Sequence, residues 1–179
     1  FFLLIFGNNW NSHLIHASFM NILAVLVFYF FLNNFKIKKL FIIFYCISFA
    51  TLCYPVSGTP FAYIHSYIFS IISIMLLILA IKKKSKLIWF MLPFVSFFSF
   101  LSMQTPSVYI LIILFFVLTH YFFFSKDYEN LKFFLIGCIS SILLFIVFLF
   151  FTKTPFINFL YQYILFPLTI GEGRISSSE

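Results

Sequence analysis

Charge is what this 179-residue chain has least of: 8% of its residues are Asp, Glu, Lys or Arg, where a soluble domain carries about a quarter. Mean hydropathy is +1.14. That composition excludes an ordinary water-soluble domain and belongs to lipid. Carboxylates are scarcest, at four in the whole chain. Three cysteines, Cys46, Cys53 and Cys138, lie in or at the ends of apolar runs without metal-ligand spacing, which reads as small packing residues. Thirty-two Phe beside abundant Ile, Lys and Asn fit an AT-rich genome and carry no functional meaning by themselves. The chain opens at Phe1 and closes on a polar run at Ser178-Glu179, and is expected to be a piece of a longer protein.

Long apolar runs are what it has instead. They cover about 13–32, 40–54, 61–81, 87–102, 106–124 and 133–151, with residues 1–6 resembling the end of a truncated helix. A spanning helix needs about 20 apolar residues, within about 17–25. The expectation is therefore an all-α, polytopic transmembrane helix bundle with about six full spans. The second and fourth runs are short, so each either borrows flanking residues or ends below the surface; outer ends recessed in that way would leave room for a hollow on that side. None of the runs contains a charged residue, and this weakens the case for an ion-coupled transporter or proton pump.

Nine of the eleven basic residues fall in alternate loops: Lys36, Lys38 and Lys39; Lys82, Lys83, Lys84 and Lys86; Lys126 and Lys132. The intervening loops at 7–12, 55–60 and 103–105 carry none. This is the positive-inside pattern. It places the lysine loops in the cytoplasm and the Thr-Pro turns outside. The net charge of +7 is thus explained by membrane anchoring, so no nucleic-acid partner is expected and membrane lipid is.

Past Pro155 the pattern changes. Residues 156–170 set Asn158 and Gln162 among Phe, Tyr, Leu and Ile, too short to span and suited to an amphipathic helix in the external interface. Residues 171–179 are expected to begin an external soluble portion.

Three stretches end alike: Thr59-Pro60, Thr105-Pro106 and Thr154-Pro155 each stand before an apolar or amphipathic segment. Thr is a favoured N-cap and Pro suits the first helical position. Helix starts gathered on one face would aim unpaired N–H groups and positive dipole ends at an anion, with Lys153 and Arg174 on the same side. An anionic headgroup suits such a face, whether of ordinary lipid or of a lipid-linked sugar phosphate. His65, one turn inside, heads a stripe of Ser66, Ser70 and Ser73 that is either a helix-packing seam or the wall of a cavity in which His65 meets a phosphate. Ser96 and Ser99 before Gln104 admit the same two readings, and Gly137 with Ser141 favours packing. His13 and His16 have the i, i+3 spacing of a metal pair, but no Cys, Asp or Glu stands near in sequence to complete a shell. No cofactor is specified, and a divalent metal stays open.

The polytopic pattern, the uncharged outer loops and three runs carry a resemblance. The runs are Tyr54-Pro55-Val56-Ser57-Gly58-Thr59-Pro60-Phe61, Gln104-Thr105-Pro106-Ser107 and the segment from Gln162-Tyr163 to Ile170-Gly171. Together they resemble bacterial membrane glycosyltransferases of the C-type fold, nearest the protein-mannosyltransferase-like family 39. The resemblance implies a bacterial inner-membrane enzyme that takes a sugar from a polyprenyl-phosphate carrier on the external face. It implies donor-side roles for His65, Gln104 and Arg174. That family places an acidic residue in its first large external loop, and Gly7–Ser12 has none, so no catalytic base is assigned. A transporter or flippase for lipid-linked glycans, and a purely structural membrane subunit, are the alternatives.

The sidedness is directly testable. Single cysteines placed at residue 58 or 104 in a cysteine-free background should label with a membrane-impermeant maleimide from outside intact cells. Protection there, with labelling only after lysis, would reverse the orientation.

Overall fold

The computed structural model describes residues 6–53 and 62–166, together with Thr169. The Thr59-Pro60 turn and Arg174 lie outside the described residues. All regular structure among these is helical: α1 (Trp10–Leu32), α2 (Lys39–Cys53), α3 (Ala62–Lys83), α4 (Lys86–Ser102), α5 (Gln104–Ser125), α6 (Tyr128–Phe151) and the short α7 (Phe156–Leu160), which a π-helical turn, Tyr161–Leu165, continues. α1, α3, α5 and α6 are long and apolar enough to cross a bilayer, which makes this a membrane protein; α2 and α4 are shorter apolar helices. The chain forms two compact units, residues 1–138 and 139–179.

The first unit is built around α3. In its most apolar stretch 56% of residues are buried, against 11–22% in the other three long helices. Lipid gives helices no hydrophobic reason to associate, so the contacts that hold them are close packing and interhelical hydrogen bonds. The α3–α4 seam uses both. Ser99 Oγ donates to the Ser66 carbonyl at 2.9 Å and meets Ser70 Oγ at 2.8 Å. Ser96 Oγ donates to Ser73 Oγ at 3.2 Å. Each of these hydroxyls is buried and each has a partner, so the serine stripe is a helix-packing seam and not a cavity wall.

Nearer the lysine loops the packing turns aromatic. Trp89 of α4 is fully buried, stacked on Tyr121 at 5.4 Å and against Phe122 at 5.0 Å, with Phe134 of α6 edge-on at 6.4 Å. α4 also holds Pro93 in its interior, where the ring denies the Trp89 carbonyl its helical partner. Gly137 of α6 packs on this site: a Cβ there would stand 2.4 Å from the Phe90 carbonyl oxygen and 3.1 Å from Pro93 Cγ.

The hairpins that join these helices are tight. Lys84-Ser85 and Lys126-Asp127 are two-residue links. Lys84 and Lys126 adopt left-handed φ of 50° and 51°, and their N–H groups close on Ala80 and Phe122 carbonyls at 2.9 and 3.1 Å. Glycine usually fills this position; lysine here sets a cation at the negative end of the helix dipole. Asp127 then caps α6. Its Oδ1 accepts the Asn130 N–H at 3.3 Å, and its Oδ2 accepts from Asn130 Nδ2 at 2.8 Å and Tyr121 Oη at 3.3 Å. These bonds, the Asn130 side chain's first, hold the carboxyl below its ordinary range despite partial desolvation.

Several helix starts depart from the expectation: α6 opens at Tyr128, five residues ahead of the expected 133, and α5 at Gln104, two ahead of 106. α1 begins at Trp10, three residues ahead of the expected His13, because Asn9 caps it by accepting the Ser12 N–H at 2.9 Å. At Thr154-Pro155 the cap of α7 is Pro155 itself (φ −60°, ψ 134°), not Thr154. Thr154 instead finishes α6, its N–H on the Leu149 carbonyl at 3.1 Å. In the second unit Phe159 packs between Phe145 at 4.7 Å and Tyr163 at 4.5 Å.

Gly137→Ala is expected to lower stability by about 1–3 kcal/mol, the range for overpacking a tight contact, because the atom it would strike is backbone. Detergent-solubilised thermal unfolding would measure it, and an unchanged midpoint would refute the close approach of α6 to α4.

Candidate functional site

The first unit has two chemically different ends. At one, the three lysine loops meet. Lys82 Nζ donates to the Asn34 carbonyl and lies 4.0 Å over the Phe35 ring. Lys86 pairs with Glu129 and sits 5.4 Å over Phe133. Residues 34–35, 82–86 and 127–133, far apart in sequence, therefore share one end.

The opposite end gathers the start of α1, the start of α3 and the α4–α5 junction, and its described residues carry no Lys, Arg, Asp or Glu. His16 and His65 face each other there, ring centroids 5.0 Å apart and planes tilted 35°. Both are half-buried. His13, whose i, i+3 spacing to His16 resembled a metal pair, makes a hydrogen-bond contact with Asn8, its Nε2 2.9 Å from Asn8 Oδ1. Among the described residues no group of three or more His, Cys, Asp or Glu is placed to hold a metal ion.

Ser66, the residue after His65, donates to the Met103 carbonyl at 3.1 Å, so the α4–α5 junction is fastened beside the histidines. Gln104, half-buried, follows Met103. The Ser107 hydroxyl reaches back to the Met103 and Gln104 carbonyls, the latter at 3.0 Å. Thr105 is extended (φ −99°, ψ 118°) ahead of Pro106. Two of the three expected site residues, His65 and Gln104, thus stand at one end of one unit, and Arg174 is not described.

Of the three Thr-Pro helix starts, this end of the unit shows one, at Thr105-Pro106. Thr154-Pro155 belongs to the second unit and opens a five-residue helix. The anion-binding character expected from three converging helix starts therefore reduces, in the described part, to imidazole and amide groups around a single one. Such groups can donate hydrogen bonds to an anionic oxygen without carrying a fixed charge. The described carboxylates, Asp127 and Glu129, are at the lysine end. The His16–His65 pairing had no signal in the sequence, since the two are 49 positions apart on different helices.

No family model, curated protein or solved structure matches this chain.

The seam that fastens this end should be measurable by a double-mutant cycle on Ser70→Ala and Ser99→Ala. The expected coupling is about 0.6 kcal/mol, the average for hydrogen bonds between membrane helices, and no more than about 1.7 kcal/mol. A coupling near zero would show that the two hydroxyls do not bond across α3 and α4.

Proposed function

We propose that this chain is the donor-carrier half of a membrane glycosyltransferase. It would take a sugar from a polyprenyl-phosphate carrier at the lysine-free end, in a bacterial inner membrane whose cytoplasmic face holds the lysine loops. The acceptor attacks the anomeric carbon with inversion, and the carrier phosphate leaves. The observation that carries this reading is the convergence of His16, His65 and the Met103-Gln104 junction at one uncharged end. Imidazole and amide donors there suit a phosphate that must be held, then released. The apolar helix faces beside them suit a polyprenyl chain that arrives through the bilayer. Gln104-Thr105-Pro106-Ser107 adds the resemblance to family 39 enzymes. No catalytic base is assigned, since the described carboxylates lie at the far end of the unit.

Activity tests the reading. His65→Ala and Gln104→Ala should each lower transfer from a polyprenyl-phosphate sugar by about 10-fold or more, the effect of losing about 1.5 kcal/mol of a hydrogen bond to a charged group. The loss should appear in the carrier's KM as well as in the rate. Transfer at the unsubstituted level in both variants would remove the lysine-free end as the donor site.

A further inference from the structure

The lysine end carries a groove on the outer side of the Trp89 cluster that the proposed transfer does not use. It runs between α5 and α6, encloses about 800 Å³ and falls within the size of small-molecule sites. Phe115, Leu118 and Phe122 of α5 and Phe134 of α6 form its walls, and Lys126 and Tyr128 stand at its mouth. From Phe115 to Lys126 is eleven residues, so roughly 16 Å of helix at about 1.5 Å per residue. That is about half of a hydrocarbon core of about 30 Å. The groove is therefore one leaflet deep, apolar along its length and cationic at its headgroup end.

The charges around the mouth are unequal. Lys86 is held by Glu129, and the Asp127 carboxylate is occupied by Asn130 and Tyr121. Among the described residues no carboxylate pairs with Lys126, whose left-handed backbone puts it at the end of α5 where the hairpin turns.

We propose that this groove binds one anionic phospholipid of the lysine-side leaflet, an acyl chain lying along Phe115, Leu118, Phe122 and Phe134 and the headgroup phosphate paired with Lys126. The depth selects a chain rooted in that leaflet, and the lysine selects a headgroup with net negative charge. Tyr128 stands at the depth where aromatic residues sit between water and hydrocarbon. The site is independent of the proposed sugar transfer, since it lies at the opposite end of the unit.

Native mass spectrometry of the detergent-solubilised chain, with dioleoyl phosphatidylglycerol or dioleoyl phosphatidylethanolamine added in equal amounts, tests it. One retained phosphatidylglycerol is expected, favoured about fivefold, the effect of one lysine near an anionic lipid. Lys126→Gln should bring the two lipids to parity, and Lys36→Gln, in a different loop of the same end, should leave the preference intact. Thr119→Trp, an exposed residue of the groove wall, should fill the groove and abolish retention of either lipid while leaving the helical circular dichroism unchanged. Equal retention of both lipids by the unsubstituted chain, an unaltered preference in Lys126→Gln, an equal loss in Lys36→Gln, or lipid still retained by Thr119→Trp would each overturn the proposal.

Discussion

Hydroxyl groups bonded across the α3–α4 interface are the contact on which the first unit depends. A bilayer supplies no hydrophobic force to press one apolar helix against another. Ser66, Ser70 and Ser73 on α3, with Ser96 and Ser99 on α4, meet that requirement twice over, being small enough to let backbones approach and polar enough to bond. A two-residue link, Lys84-Ser85, makes the pair antiparallel and leaves little freedom in its register. Because α4 covers one flank of α3, the remaining flanks are free for α1, through Ala24 against Ile64, Ile68 and Ile72, and for α5.

The same seam decides where chemistry can sit. With the serines occupied by one another, they are not available to a ligand. Other polar groups of this unit lie at its ends, where helices begin or stop. Electrostatics then separates the two ends. The cations collect where α1, α3 and α5 finish, partly neutralised by Glu129 and by the rings of Phe35 and Phe133. The other end has no Lys, Arg, Asp or Glu among its described residues. The two ends of the first unit thus differ in chemistry: lysines with a paired carboxylate at one, imidazole and amide groups at the other.

Pro93 and Gly137 show how an irregularity is absorbed. The proline interrupts the hydrogen-bond ladder of α4, and the glycine on α6 lets its backbone pack closely beside Phe90 and Pro93. Neither residue is informative alone. Gly137 reads as packing from its small size, but its partner lies 44 to 47 positions earlier on another helix, and nothing in the spacing of apolar residues pairs them.

Much of the fold was legible because it follows from solvent. Apolar runs of spanning length must be helices in lipid, where each backbone group needs a partner within its own segment, and lysines in alternate loops require an even alternation of ends. The placement of helix starts was less legible: Asn9 captures the first turn of α1, and Pro155 displaces Thr154 as a cap, because local side-chain and ring geometry decides between neighbouring positions. Of the candidate site, His65 and Gln104 could be named from their positions beside turns. The contact of His65 with His16, the departure of His13 to Asn8, and the occupation of the serines by one another could not. Those depend on which faces of α1, α3 and α4 meet, and helices of nearly uniform hydrophobicity carry no stripe that would say so. Composition and lysine spacing determined by themselves that the chain is helical, membrane-embedded and two-ended. Only the tertiary structure decided which polar groups are spent on packing and which gather at the ends, since that is settled by contacts between segments distant in sequence.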